Sequence, residues 1–285
     1  MIENLYKRIL NIGQKIFYLD QWYLIFDLKP DMSKTFHNFK EMMPPGDRFW
    51  ADPHIIQVGA SFYVFIEEYM YKIRKGHISV IEMDNQGNYI ETVKILERNY
   101  HLSYPFVFEW EDKYYMVPES SENRTVELYE CLEFPHKWEF RMNLMENVMA
   151  VDTTLFRYDG KWWLFSGTSK NRELNLFYSD ELFTKKWKSH PLNPIISDIK
   201  IARPAGRLFL KNERIFRPSQ DCSLRYGYGI NINEIVRFSE TEYLERKVAF
   251  IIPDWSKNVK AAHTFINGEQ ITMIDCCRMR RRFLS

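Results

Sequence analysis

Residues 48–69 read RFWADPHIIQVGASFYVFIEEY. Two runs rich in aromatic and β-branched residues flank Gly59-Ala60, which is the pattern of a β-hairpin. The first run carries Arg48, Asp52 and His54, and the second ends on Glu67 and Glu68. The unit returns as SYPFVFEWEDKYYMVPESS (103–121), VDTTLFRYDGKWWLFSGTS (151–169), ARPAGRLFLKNERIFRPSQD (202–221) and AHTFINGEQITMIDCC (262–277). Each copy has a polar entry, an apolar run, a turn such as Asp159-Gly160 or Asn267-Gly268, and a second apolar run ending in polar residues.

Taking Asp52, Tyr104, Asp152, Arg203 and His263 as equivalent gives a period of roughly 50–60 residues, the length of one four-stranded propeller blade. Strand-like runs at 76–83, 125–132, 173–179 and 243–252 supply the outer strands. The chain is therefore expected to be all-β: a five-bladed β-propeller over 48–277. Little sequence follows the last hairpin, so QWYLIFDL (21–28) is expected to close the ring from the N-terminal side and hide the sheet edges. A β-sandwich also has many short strands but does not call for homologous hairpins at near-constant spacing. Residues 1–47 are read as a short amphipathic helix (4–17, with Leu5, Ile9, Ile12 and Ile16 on one face) and the closing strand. Residues 278–285 are read as a basic tail, with four arginines in RMRRRF.

Composition bounds the function. Lys+Arg is 39 and Asp+Glu is 38, so no global field attracts nucleic acid. The four cysteines lack metal-ligand spacing and read as thiols of a cytoplasmic protein. The first residues lack the apolar core of a signal peptide, and no apolar run reaches membrane-spanning length. The basic tail makes an anionic membrane surface a candidate partner, which would place the protein peripherally on the inner face of the membrane. No Gly-rich phosphate loop or nucleophile elbow is present, and no cofactor or metal is indicated.

In a propeller the innermost strands line an axial channel, so equivalent positions converge. The entry set is Asp52, His101 or Tyr104, Asp152, Arg203 and His263; the strand-end set is Glu67 or Glu68, Glu119, Ser166 or Thr168, Gln220 or Asp221, and Asp275. Cross-channel pairing that pins the blades is the bland account of such groups. The excess of acids over pairing partners points instead to a site. Aromatic residues near these positions, Trp50, Tyr104, Tyr115, Trp162 and Trp163, suit a sugar ring. Trp162 and Trp163 are adjacent in a strand, so only one can face the channel.

The motifs FWADPHI, HLSYPFVFE, MVPES, VDTTLF, KWWLF and SQDC resemble, in order over about 48–225, the N-terminal domain of plant glucosamine inositolphosphorylceramide transferases and its stand-alone bacterial relatives. That family looks like a distant branch of the five-bladed propeller furanosidases, fructosyltransferases and mannoside phosphorylases. The resemblance implies a catalytic Asp at Asp52-Pro53 and a sugar-positioning Asp at Asp152. The general-acid Glu of a later blade has no counterpart in ARPAGR, and Glu119 on blade two is the well-placed glutamate. A phosphate leaving group needs cations rather than an acid, and Arg203, Arg207 and Arg217 are expected to form its clamp. Asp52 or Glu119 then serves as base or nucleophile. Gln220, Asp221, His101, Tyr104, His263, Trp50 and Trp163 complete the expected substrate contacts.

The expected function is a glycosyltransferase of surface-polysaccharide or glycolipid synthesis. It would take a phosphate-activated sugar donor and a glycan or lipid-linked acceptor. A furanosidase-like hydrolase or phosphorylase, and a non-catalytic glycan-binding module, are the alternatives.

Overall fold

The computed structural model describes residues 17–28, 36–168, 170 and 172–282. The helix expected at 4–17 falls outside these residues except for Phe17. Strand β1 (Tyr18–Asp27) and the short β2 (Lys40–Met42) come first. Blade one follows as β3 (Arg48–Val58), β4 (Ser61–Met70), β5 (Lys75–Asp84) and β6 (Val93–Leu96). Blade two comprises β7 (Ser103–Trp110), β8 (Lys113–Ser120), β9 (Thr125–Glu133) and β10 (Lys137–Glu146). Blade three comprises β11 (Ala150–Tyr158), β12 (Lys161–Thr168), β13 (Leu174–Ser179) and β14 (Lys188–Ser189). Blade four comprises β15 (Phe209–Lys211), β16 (Arg214–Asp221), β17 (Gly229–Phe238) and β18 (Tyr243–Ile251). The chain ends with β19 (Val259–Ala261), β20 (Phe265–Asn267) and β21 (Thr272–Arg281).

The fold is a five-bladed β-propeller. Blades one to four are antiparallel meanders. The fifth sheet runs β19-β21-β1-β2, with β20 also paired to β21. β1 pairs with β21 from Tyr18↔Arg281 to Asp27↔Thr272, so strands from opposite ends of the sequence close the ring. Arg278 and Arg280 lie within β21, so the segment read as a basic tail begins as a paired strand. In blade four, residues 243–252 form the outermost strand, and the third position belongs to β17, which the sequence reading passed over.

The core lies between blades. Both faces of each sheet carry apolar side chains, because each blade packs against two neighbours. Phe62, Val64 and Ile66 join Leu24 and Phe26 on one side of blade one, while Phe65, Ile78 and Val80 join Val107 and Met116 on the other.

The entries of the first three inner strands share one irregularity. Asp52, Tyr104 and Asp152 have φ of 52°, 42° and 49°, and the register slips between Ala51 and His54, Ser103 and Phe106, and Val151 and Thr154. Each is a β-bulge that re-aims a side chain. Proline follows in the first two cases, where the unpaired bulge position needs no N–H donor. Gly206 (φ 124°) crosses the channel wall where a Cβ would meet the Phe265 carbonyl oxygen at 2.3 Å, so only glycine fits.

Candidate functional site

The bulges bring distant acids into one pit at the mouth where the inner strands begin. Asp52 Oδ2 accepts the backbone N–H of Tyr104 (3.2 Å), and its Oδ1 accepts the Thr264 hydroxyl (3.0 Å). Glu119 Oε2 accepts the N–H of Asp152 (3.1 Å). Asp275 accepts the N–H groups of Asp52, His263 and Thr264 at 2.8–3.0 Å, and its Oδ2 meets His263 Nδ1 at 2.5 Å. Arg203 grips Asp152 with two nitrogens (Nε–Oδ2 2.5 Å, Nη2–Oδ1 3.2 Å), and Gln220 donates to the same carboxylate at 3.1 Å. Glu67, on β4, is buried with His101 Nε2 3.3 Å from its Oε1.

Burial and crowding shift these groups. Burial pushes Asp52 up to about 6; Asp152 and Asp275 add to the rise, while His263 and Arg203 oppose it. Asp152 reaches about 7 through burial, with Arg203 pulling down and Glu119 pushing up. Glu67 is held well above the usual carboxylate range by burial and by the charges of Asp52, Glu119, Asp275 and Asp152. Burial disfavours the His263 imidazolium, but Asp275 and Asp52 outweigh it and raise its pKa. His101 is lowered, chiefly by burial. The pit thus holds acids whose affinities for protons are spread apart, the condition for separate acid and base roles.

Ligand atoms of Asp52, His263 and Asp275 lie within 4.8 Å of one another. Asp275, however, already receives three backbone N–H groups and the His263 ring. Its lone pairs tie blade five to blade one and are committed, so the trio does not fit a resident cation.

Several expected contacts lie elsewhere. Arg217 is buried in blade four, bonded to Glu245 (2.7 and 2.8 Å) and the Ile201 carbonyl. Arg207 reaches the Val107 carbonyl and lies over the Phe106 ring, at the hairpin-turn end of the channel. The three arginines therefore do not converge, and only Arg203 stands in the pit. Trp50 is buried and donates to Glu68 (3.0 Å), which in turn holds Arg48, His77 and Ser79 within blade one. Trp163 packs on Phe238 in the interblade core. Tyr104 is fully buried, its hydroxyl bonded to Thr154 Oγ1 (2.8 Å) and accepting the Gly206 N–H (3.0 Å). Tyr115 and Trp162 share a core cluster. Asp221 accepts the Ser223 N–H and caps its own turn.

The aromatic groups beside the pit are ones the sequence reading did not nominate. Trp22, on β1, stacks on His263 with centroids 4.0 Å apart and planes 13° apart. Tyr226 meets His263 edge-on at 5.0 Å, lies 5.1 Å under the Arg203 guanidinium, and is 43% exposed. Neither belongs to a repeated hairpin, so the period could not place them.

Chains of the same five-bladed architecture are found among solved structures, and these agree with it in fold alone. A family 117 glycoside hydrolase from Zobellia galactanivorans superposes with a TM-score of 0.59 at 11% identity, covering 90% of each chain. A Bombyx mori family 32 β-fructofuranosidase gives 0.54 at 14% identity, covering 79% of this chain and 54% of that one. The chain belongs to the family described as glucosamine inositolphosphorylceramide transferase 1, N-terminal, whose model matches residues 36–282. It is 35% identical over 222 residues to glucosamine inositolphosphorylceramide transferase 1 of rice (japonica) and 33% identical over 211 residues to that of Arabidopsis thaliana. These matches cover 75% and 71% of this chain but only 30% and 27% of the relatives.

Proposed function

We propose that the pit binds a sugar and serves glycosyl transfer from a phosphate-activated donor to a glycan or lipid-linked acceptor. One observation carries the reading: Asp52, Glu67, Glu119, Asp152 and Arg203, contributed by four blades, gather at one channel mouth beside Trp22 and Tyr226. The transferase name of the relatives supports the same class. Asp52 acts as base on the acceptor hydroxyl, since a pKa near 6 leaves it ionised at neutral pH yet able to take a proton. Asp152, aligned by Arg203 and Gln220, holds ring hydroxyls. Glu119 fixes the backbone of Asp152 and is a positioning residue. Arg203 is the pit's cation for a phosphate leaving group. The excess of acids favours a neutral or cationic ring, which suits the amino sugar in the relatives' name. Work on glycolipid or surface polysaccharide at the cytoplasmic face of a membrane belongs to this reading.

A panel of nucleotide sugars and sugar phosphates should reveal a donor by protection against thermal unfolding, and Asp52→Asn should keep binding while losing turnover. Indifference to every phosphorylated sugar, with hydrolysis of an aryl furanoside, would instead favour glycoside hydrolysis or phosphorolysis. Glu67 gives that second reading its support, because a buried carboxyl whose hold on its proton is strengthened, beside a second carboxylate, is what an alkoxide leaving group requires. Sugar binding without turnover in either protein would mark a binding module.

A further inference from the structure

The other end of the channel holds a second cavity, of about 460 Å³, between the hairpin turns of blades one and five. Gln57, Asn267, Glu269 and Gln270 line it together with Ile55, Ile266 and Ile271, and Arg207 stands among them. Arg207 makes one hydrogen bond, to the Val107 carbonyl, and stacks over Phe106. Among the described residues it has no ion-pair partner, and the groups bearing on its charge include no carboxylate. Burial lowers its pKa to about 10, a cost that the Val107 carbonyl, the Phe106 ring and Tyr104 offset only in part. The neighbouring His54 ring is wholly buried, its Nε2 has no partner, and burial together with the Arg207 charge lowers its pKa to about 3. It therefore stays neutral and adds no second positive charge beside Arg207. Every other deeply placed arginine discussed above is matched: Arg203 by Asp152 and Arg217 by Glu245.

An unmatched guanidinium facing a polar, solvent-open cavity is the arrangement of an oxyanion site. It presents a planar fork of donors, and carboxamide side chains stand around the mouth. We infer that Arg207 anchors a second binding site, at the hairpin-turn mouth, for a small water-soluble molecule carrying a phosphate group. The site is separate from the acid pit: none of Asp52, Glu67, Glu119, Asp152 and Arg203 lines this cavity. The exposed residues at the mouth, Gln57, Glu269 and Gln270, are polar, and Ile55, Ile266 and Ile271 lie deeper, which favours a soluble phosphate over a lipid phosphate, whose acyl chains would need an apolar rim.

The test is thermal unfolding in inorganic phosphate up to about 20 mM, with sodium chloride at matched ionic strength as control, since a ligand that binds only the folded state raises Tm in a saturable way. The wild-type Tm should rise, Arg207→Met should lose the rise, and Arg207→Lys should need about tenfold more phosphate, having lost the bidentate fork. Arg203→Gln should keep the part of the rise that Arg207→Met loses, which separates this site from the pit. Without phosphate, Arg207→Met should melt no lower than the wild type, because it removes an uncompensated buried charge. Three results would overturn the inference: no phosphate response in the wild type, an equal response in Arg207→Met, or a large loss of Tm in that variant without phosphate. Arg207-dependent sedimentation with phosphatidylcholine vesicles containing phosphatidic acid, and not with phosphatidylcholine alone, would overturn the soluble source in favour of a lipid one.

Discussion

Asp275 Oδ2 accepts the backbone N–H of Asp52 at 3.0 Å across 223 residues of sequence. The same carboxylate holds the N–H groups of His263 and Thr264, so one side chain both joins the last blade to the first and sets the base of the pit. Asp275→Ala should leave three buried donors and His263 without their acceptor and cost about 3–5 kcal/mol, the range for breaking one side of a buried charged network. Urea unfolding monitored by tryptophan fluorescence reads it. A loss below about 1 kcal/mol, the size of a single ordinary hydrogen bond, would refute the role.

Burial and the neighbouring carboxylates raise Glu67 well above the usual carboxylate range, which favours its neutral form, and Gln is the near-isostere of that form. Glu67→Gln should change stability at pH 7 by less than about 0.5 kcal/mol, within the range of a neutral substitution. Activity, if it passes a proton through Glu67, should fall by about 100-fold or more.

Asp52 and Asp152 bind protons more tightly folded than unfolded. Their contribution to stability is therefore full below the ordinary Asp range near 4 and is lost as pH rises through about 6 and 7. His263, raised as well, contributes below its ordinary pKa and loses that contribution at higher pH. The stability difference between wild type and Asp52→Asn should thus shift in favour of the variant between pH 4 and pH 7. Parallel Tm-against-pH curves for the two proteins would count against the crowded pit.

Arg217→Ala should destabilise by about 3–5 kcal/mol, because Glu245 would stay buried without its partner. Any folded fraction should bind sugar as the wild type does. Weakened binding by fully folded Arg217→Ala would return this residue to the site.

Trp22→Ala and Tyr226→Ala should each weaken sugar binding by about tenfold, the scale of a lost aromatic face. Trp50→Ala and Trp163→Ala should instead lower Tm, at a cost of about 3–5 kcal/mol for emptying an aromatic core position. Calorimetric titration with the donor found by the panel, beside Tm for all four variants, separates the two groups.

The architecture was legible because a hairpin is a local pattern and its recurrence survives divergence; Asp52, Tyr104 and Asp152 occupy equivalent bulged entries, while Arg203 and His263 stand ahead of β15 and β20 without the bulge. Alternation along a strand separates two faces but cannot say which of them meets the channel and which a neighbouring blade. Trp50 and Trp163 were misplaced for that reason. Spacing likewise could not show that Arg203, Arg207 and Arg217 lie at the pit, at the far mouth and inside a blade. Trp22 is a site residue only because β1 returns to the last blade, a relation that no stretch of local sequence contains.

That return has a consequence for biogenesis. During synthesis β1 is made some two hundred and fifty residues before β21, the strand it must pair with. Until then its apolar face, with Leu24 and Phe26, has no sheet to join. Pairings so remote in sequence slow folding and leave an adhesive strand exposed on the nascent chain. The growing polypeptide should therefore depend on chaperones until β21 emerges, and a truncation before Thr272 should yield aggregates rather than a four-bladed remnant.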